Sequence, residues 1–219
     1  MLTTRASLAE SRVASLWTTT DGLAWEPLGG PRSEAGVGDD PAVVFDNSGV
    51  ADVVTAAGVL VAVGTSPGGE FVPTAAAWTS ADTLTWQRAS VADAEDCYLT
   101  AAATTTTGLI AAGWCTTTGQ PALWTSADGT AWQRTEAPVA ELPPYSFVAV
   151  GDLSVLADGT VAVAGTVSEA GLESATLAQW LGPDGWNRAD DAVVPYHVVE
   201  GTGFWPPVGR GPVTVLLAE

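Results

Sequence analysis

A set of carboxylates, tyrosines and one histidine in this chain has the residue types and spacing that could hold a cation or move a proton. Asp39, Asp40, Asp96, Asp190 and Asp191 fall in polar connectors, joined there by Asp93, Glu95, Glu136 and Glu141. Tyr98, Tyr145 and Tyr196 each follow such a connector, Phe45 takes a comparable place, and the lone histidine, His197, follows Tyr196. Carboxylates supply charge and aromatic faces a quadrupole, so the set suits an organic cation. Carboxylates with backbone carbonyls would instead suit Ca2+ or another divalent cation, and the metal, if any, is unknown from these residues. The plainer alternative is packing, because a repeat places like residues at like positions. His197 could act as a base near neutral pH, with Glu200 as its nearest partner; a hydrogen-bonded structural histidine is the plainer reading. Paired connector carboxylates are also the residue type of glycoside hydrolysis. No G-x-S-x-G elbow or phosphate-binding glycine loop occurs. Two cysteines and one distant histidine do not make a zinc site. No catalytic residue is assigned and no resident cofactor is expected.

The elements that must position these residues come from an internal repeat. Residues 122–134 read A-L-W-T-S-A-D-G-T-A-W-Q-R, and the pattern occurs four times. Its first tryptophans are Trp17, Trp78, Trp124 and Trp180, each followed four residues later by Asp21, Asp82, Asp128 or Asp184. The second tryptophans are Trp25, Trp86, Trp132 and Trp186, the last arriving two residues early. Asp-Gly between apolar runs is a β-hairpin signal, because glycine accepts positive φ and aspartate bonds back to nearby amides. The tryptophans flanking the turn should bury large apolar area. Arg88, Arg134 and Arg188 follow the second tryptophan by two, which places each guanidinium on the strand face of that indole, at the start of the strand beside the turn. Pro27 replaces arginine in the first copy, fitting an outermost strand.

Upstream of each hairpin lie two more apolar runs: 52–56 and 58–64, 99–104 and 108–113, 147–156 and 159–165, 198–205 and 211–216. The order within a unit is therefore strand A, strand B, strand C, aspartate turn, strand D. Units cover residues 42–90, 96–136 and 145–190. Residues 12–28 supply strands C and D alone, and residues 195–219 supply A and B alone. First tryptophans are spaced by 61, 46 and 56 residues, and counting from Trp180 through both termini to Trp17 gives 56 again. Such periodicity indicates a repeat architecture. It predicts an all-β, four-bladed β-propeller of four-stranded antiparallel blades. Its ring would be closed by N-terminal strands C and D pairing with C-terminal strands A and B, in one domain over residues 1–219. A fragment of a larger propeller, or a dimer exchanging half-blades, is the competing arrangement.

S-A-D-G-T-A-W at residues 126–132 resembles the Asp-box, or BNR repeat, of sialidase-like β-propellers, with one residue fewer between aspartate and glycine. The resemblance covers all four copies. It implies that the aspartate turns lie on one face and the acidic connectors on the other, around the mouth of a channel. It implies a scaffold role for the aspartates, since the Asp-box of that family lies away from the catalytic centre. The family's arginine triad is not matched: Arg88, Arg134 and Arg188 are bound to the repeat, and Arg5, Arg12, Arg32 and Arg210 are scattered.

Composition narrows the function. Of 219 residues, 25 are acidic and all seven basic residues are arginine, giving a net charge of −18. Such a field repels nucleic acid and anionic membranes and favours cationic partners or metal ions. No apolar run is long enough to span a bilayer, and residues 1–15 lack the apolar core of a signal peptide. If residues 97–115 turn near Thr106, Cys97 and Cys115 face each other on adjacent strands. A disulfide is then geometrically allowed and would imply an oxidising compartment; two buried free thiols are the alternative. The expectation is a monomeric, secreted or cell-envelope binding module rather than an enzyme. Its acidic, tyrosine-bearing face would meet a cation, amine, metal ion or basic protein surface. The alternatives are a sialidase-like or other glycan-active enzyme, or a lectin-like module stacking carbohydrate on exposed aromatics such as Trp205.

Overall fold

The computed structural model describes residues 16–19, 21–28, 48–68, 72–82, 85–135, 147–168, 175–182 and 187–189. The described residues are all-β, with no helix among them. A two-stranded sheet pairs β1 (Leu16–Thr18) with β2 (Glu26–Leu28). The first four-stranded sheet runs in order through β3 (Gly49–Ala56), β4 (Val59–Pro67), β5 (Pro73–Ser80) and β6 (Gln87–Arg88). A short β7 (Ser90–Val91) follows. The second sheet contains β8 (Cys97–Thr105), β9 (Gly108–Cys115), β10 (Gln120–Ser126) and β11 (Ala131–Thr135). The third contains β12 (Phe147–Val155), β13 (Val161–Ser168), β14 (Ala175–Gly182) and β15 (Asn187–Ala189). The A-B-C-D order expected of each unit is thus present three times as an antiparallel meander. The hairpin at residues 16–28 supplies strands C and D. Residues 195–219, expected to complete it, lie outside the described residues.

One departure from four-stranded antiparallel units is β7, which pairs parallel with β11 and makes the second sheet five-stranded. The connector leaving the first sheet runs along the outer edge of the second, where it satisfies edge groups that would otherwise face solvent.

Each complete first strand carries a bulge at the same register, at Val50/Asp52, Leu99/Ala101 and Val150/Asp152. The bulge drives a carbonyl against the second strand, where only glycine fits. A Cβ on Gly113 would stand 1.7 Å from the Tyr98 carbonyl oxygen, and Gly64 and Gly165 meet the Gly49 and Ala149 carbonyls in the same way.

Alternating residues of a sheet feed separate clusters on its two faces, three in all among the described residues. Val61, Val63, Ala75 and Ala77 of the first sheet pack with Leu109, Ala111, Ala122, Trp124 and Trp132 of the second. The other face of the second sheet, through Ile110, Ala112 and Leu123, packs with Val161, Val163 and Trp180 of the third. On the opposite face of the first sheet, Ala62, Ala76, Trp78 and Trp86 form their own cluster. Trp124 and Trp132 of the second sheet and Trp180 of the third therefore point toward the sheet that precedes them in the chain. We call this the leading face and its opposite the trailing face.

Burial of the second tryptophan holds in two copies and fails in one. Trp86 and Trp132 are fully buried, whereas Trp25 is 41% exposed.

Candidate functional site

The aspartate turns are built from within. In the second sheet, the buried Ser126 hydroxyl accepts the Gly129 amide at 2.9 Å, while Asp128 Oδ1 accepts the Thr130 amide at 2.9 Å and its hydroxyl at 2.7 Å. In the hairpin, Thr19 and Asp21 divide the amides of Gly22, Leu23 and Ala24 between them. Asp82 accepts both the amide and the hydroxyl of Thr85. The Ala24 and Leu23 amides hold the Asp21 carboxyl below the usual carboxylate range, and the Thr130 amide and hydroxyl do the same for Asp128. These carboxylates are occupied by their own turns, and glycine at φ +86 completes the second-sheet turn. Asp184 and Trp186 lie outside the described residues.

The arginines are not where the i, i+2 spacing puts them. Arg88 stands over Trp78 and Arg134 over Trp124, at 5.8 and 5.5 Å from the ring centroids. These are the first tryptophans, directly opposite the arginines across the strand pair, rather than the second. Cross-strand neighbours approach more closely than i, i+2 neighbours on one strand, so the ladder decides the partner. The expected place beside the aspartate turn is also corrected. Arg134 lies late in β11 and reaches Cys115 Sγ at 3.5 Å and Cys97 Sγ at 4.0 Å, at the connector end of the sheet. Arg88 donates likewise to Ser66, which holds the ladder position of Cys115. Each described guanidinium is therefore held by its own sheet, and the two do not converge on one pocket.

Cys97 and Cys115 are paired in register and bonded, with sulfurs 2.02 Å apart, and both are buried. Beside them Tyr98 stacks on Trp114 at 4.6 Å with planes 19° apart, and burial pushes its hydroxyl pKa up. The register sets Tyr98 level with Gly49 and Ala149. Tyr145 stands four residues before Ala149 in the sequence, so it is not the counterpart of Tyr98 by this register.

Of the connector carboxylates, those of residues 93–96 are described. Asp93 and Glu95 are exposed and Asp96 is half-buried. The backbone carrying them is pinned on several sides. The Ala92 amide donates to the Trp132 carbonyl, the Ala75 amide to Ala94, and the Thr116 amide to Asp96. The Ala92 carbonyl accepts the Trp124 indole at 2.8 Å. Asp93 and Asp96 take positive φ, and Asp96 Oδ2 accepts the Thr117 hydroxyl at 2.7 Å. Among the described residues, no group of three or more His, Cys, Asp or Glu side chains is placed to hold a metal ion. Asp39, Asp40, Tyr145, Asp190, Asp191, Tyr196 and His197 lie outside the described residues.

Sequence reasoning passed over Asp52. One of its oxygens accepts the Val53 amide just after the bulge, and the other accepts the Ala102 amide of the next sheet at 2.9 Å. Ala101 stands at the position of Asp52 in the second sheet, so the first sheet supplies the acceptor its neighbour lacks. The pairs Asp52-Val53 and Asp152-Leu153, at matching places in two repeats, were the available signal. Asp52 also borders an open cavity of ≈ 460 Å³ lined from β3, β8 and β12, with Thr55, Thr104 and Val155.

No family model matches the chain, and no curated protein matches it significantly. Among solved structures, it is similar to a protein of unknown function from Dyadobacter fermentans DSM 18053. The TM-score is 0.54 and the identity 16%, over 79% of this chain and 51% of that one. The chain therefore spans about half the length of that relative, and the likeness concerns the fold alone.

Proposed function

We propose that the chain is a non-catalytic binding module of the β-propeller type. The three meanders are its blades, and a fourth blade per chain is composed of β1, β2 and strands from residues 195–219. The recurrent A-B-C-D order, the face-to-face packing of successive sheets and the Asp-box resemblance support this architecture. The ligand is a cation: an amine, a divalent metal ion or a basic protein surface. The observation that carries this reading is the connector at residues 93–96. It holds Asp93 and Glu95 in solvent on a backbone fixed to both flanking sheets, in a chain of net charge −18. A rigid acidic edge meets a cation without first paying to order itself. The buried disulfide supports a secreted or cell-envelope location.

The test is thermal shift and calorimetry with Ca2+, Mg2+, spermine and a glycan panel, at constant ionic strength. A cation should raise the melting temperature of the wild type, and Asp93→Asn with Glu95→Gln should reduce that rise. A response to glycans alone would overturn the cation reading in favour of a carbohydrate-binding module.

A further inference from the structure

The second sheet carries a cross-link that its sisters do without. At the register of Cys97 and Cys115, the first sheet has Ser48, one residue before Gly49, and Ser66, and the third has Val148 and Val167. The strand pair therefore forms with two serines, two valines or a disulfide, and its own folding does not require the bridge. What the bridge adjoins is the connector of residues 92–96. Asp93 and Asp96 there hold φ of 51° and 59°, and residues other than glycine keep such backbone only where their surroundings over-determine it. Asp96 is held by residues 115–117. Its carbonyl accepts the Thr116 amide at 2.7 Å and the Thr116 hydroxyl at 3.2 Å, and its carboxylate accepts the Thr117 hydroxyl. The bridge stands next to these bonds, with Cys97 Sγ 3.2 Å from the Glu95 carbonyl oxygen. Of the ties between the two segments, it alone is one that water cannot replace.

The open state is prepared as well. In the first sheet, where serines stand in place of two reduced cysteines, Arg88 donates to Ser66. Arg134 holds the same station in the second sheet and meets Cys115 Sγ at 3.5 Å. A Cys115 thiolate would find its counter-charge already in place. We propose that the Cys97–Cys115 bridge is a redox switch that fixes the acidic connector when closed and releases it when reduced by a protein dithiol. One thiolate of the dithiol attacks Cys97 Sγ and expels Cys115 as the thiolate beside Arg134. The second sulfur of the dithiol then breaks the mixed disulfide and releases Cys97. The dithiol departs as a disulfide, having given two electrons, and its two protons pass to Cys97 and to solvent. Both sulfurs are buried, so the attack requires the connector to open first, and a cation bound along the connector slows it. That the switch controls cation binding rests on the function proposed above; the release of the connector does not.

Hydrogen exchange of the full chain tests the release. Three forms are compared: the oxidised wild type, the wild type reduced by dithiothreitol, and Cys97→Ser with Cys115→Ser, which copies the first sheet. The amides of Ala75 and Thr116, which donate to the Ala94 and Asp96 carbonyls, should exchange about 10-fold faster or more in both bridge-free forms. Those in the central strands β4 and β13 should keep their rates. Calorimetry tests the control. Spermine should bind the oxidised form at least about 5-fold more tightly, and by linkage it should shift the thiol–disulfide equilibrium toward the disulfide by the same factor. Unchanged exchange at Ala75 and Thr116 overturns the proposal. So does loss of protection throughout the chain, which would make the bridge a brace of the whole fold. Equal spermine affinity in the two redox states overturns the control of binding. An oxidised wild type that binds none of spermine, Ca2+ and Mg2+ sinks the cation reading instead, and the exchange rates alone then decide the switch.

Discussion

At the scale of single residues, the polar groups that first suggest chemistry are mostly engaged in building turns. Asp128 illustrates it: its Oδ1 accepts the amide and the hydroxyl of Thr130, and its carboxyl pKa lies below the ordinary value for that reason. A carboxyl whose folded pKa is depressed stabilises the fold above its unfolded pKa, and that contribution disappears as pH falls through the folded value. Asp128→Ala should therefore melt at a lower temperature than the wild type at pH 7. The gap should close as the pH is lowered below about 4, where the unfolded carboxyl titrates. Parallel melting curves of the two proteins from pH 7 to pH 2 check this. A gap that stays constant would mean that the side chain acts through shape rather than charge. Asp21 and Asp158 are held down by the same kind of amide and hydroxyl donors, so the acid limb of the wild-type curve should report several turns at once.

At the scale of elements, the bulge in the first strand and the glycine in the second form one unit. Neither is optional, since the bulged carbonyl occupies the space where a Cβ would go. Gly113→Ala should destabilise the protein by about 2–3 kcal/mol, the upper range for overpacking against backbone that cannot move. Gly159→Ala, where φ is +87 and nothing lies within 4 Å, should cost about 1 kcal/mol from backbone strain alone. Urea unfolding of both variants measures the difference, and equal losses would refute the steric account. Strand order and hairpin positions were legible in the sequence, because Asp-Gly turns and paired tryptophans are local signals. The bulges were not, since the turn residues mark strand ends and leave the register in between unspecified. The arginine partners were misplaced for a related reason: i, i+2 spacing is written in the chain, whereas cross-strand pairing exists only once the register is set. The Cys97–Cys115 pair was open to anticipation because a turn near Thr106 sets the two cysteines almost opposite each other, and the bulge at Leu99/Ala101 completes the register. Of the expected site residues, Asp96 and Tyr98 are among the described ones, and Asp39, Asp40, Tyr145, Asp190, Asp191, Tyr196 and His197 lie outside them.

At the scale of the whole molecule, 25 acidic residues against seven arginines leave −18 charges on a chain of 219 residues. Self-repulsion of this kind opposes the compact state, and mobile ions relieve it. The Debye length falls from about 30 Å at 0.01 M to about 10 Å at 0.1 M salt, so repulsion between neighbouring sheets should be largely screened over that interval. The melting temperature should accordingly rise with NaCl and then level off. Calcium or spermine at matched ionic strength provides the sharper measurement. If the carboxylates act only as a diffuse cloud, every cation follows the same curve of stability against ionic strength. If the connector of residues 93–96 is a binding edge, the polyvalent cation lies above that curve. Asp93→Asn with Glu95→Gln then brings it back, even though the double variant lowers the net charge by only two. A double variant that shifts all curves equally would show that its carboxylates contribute to the general field and form no site.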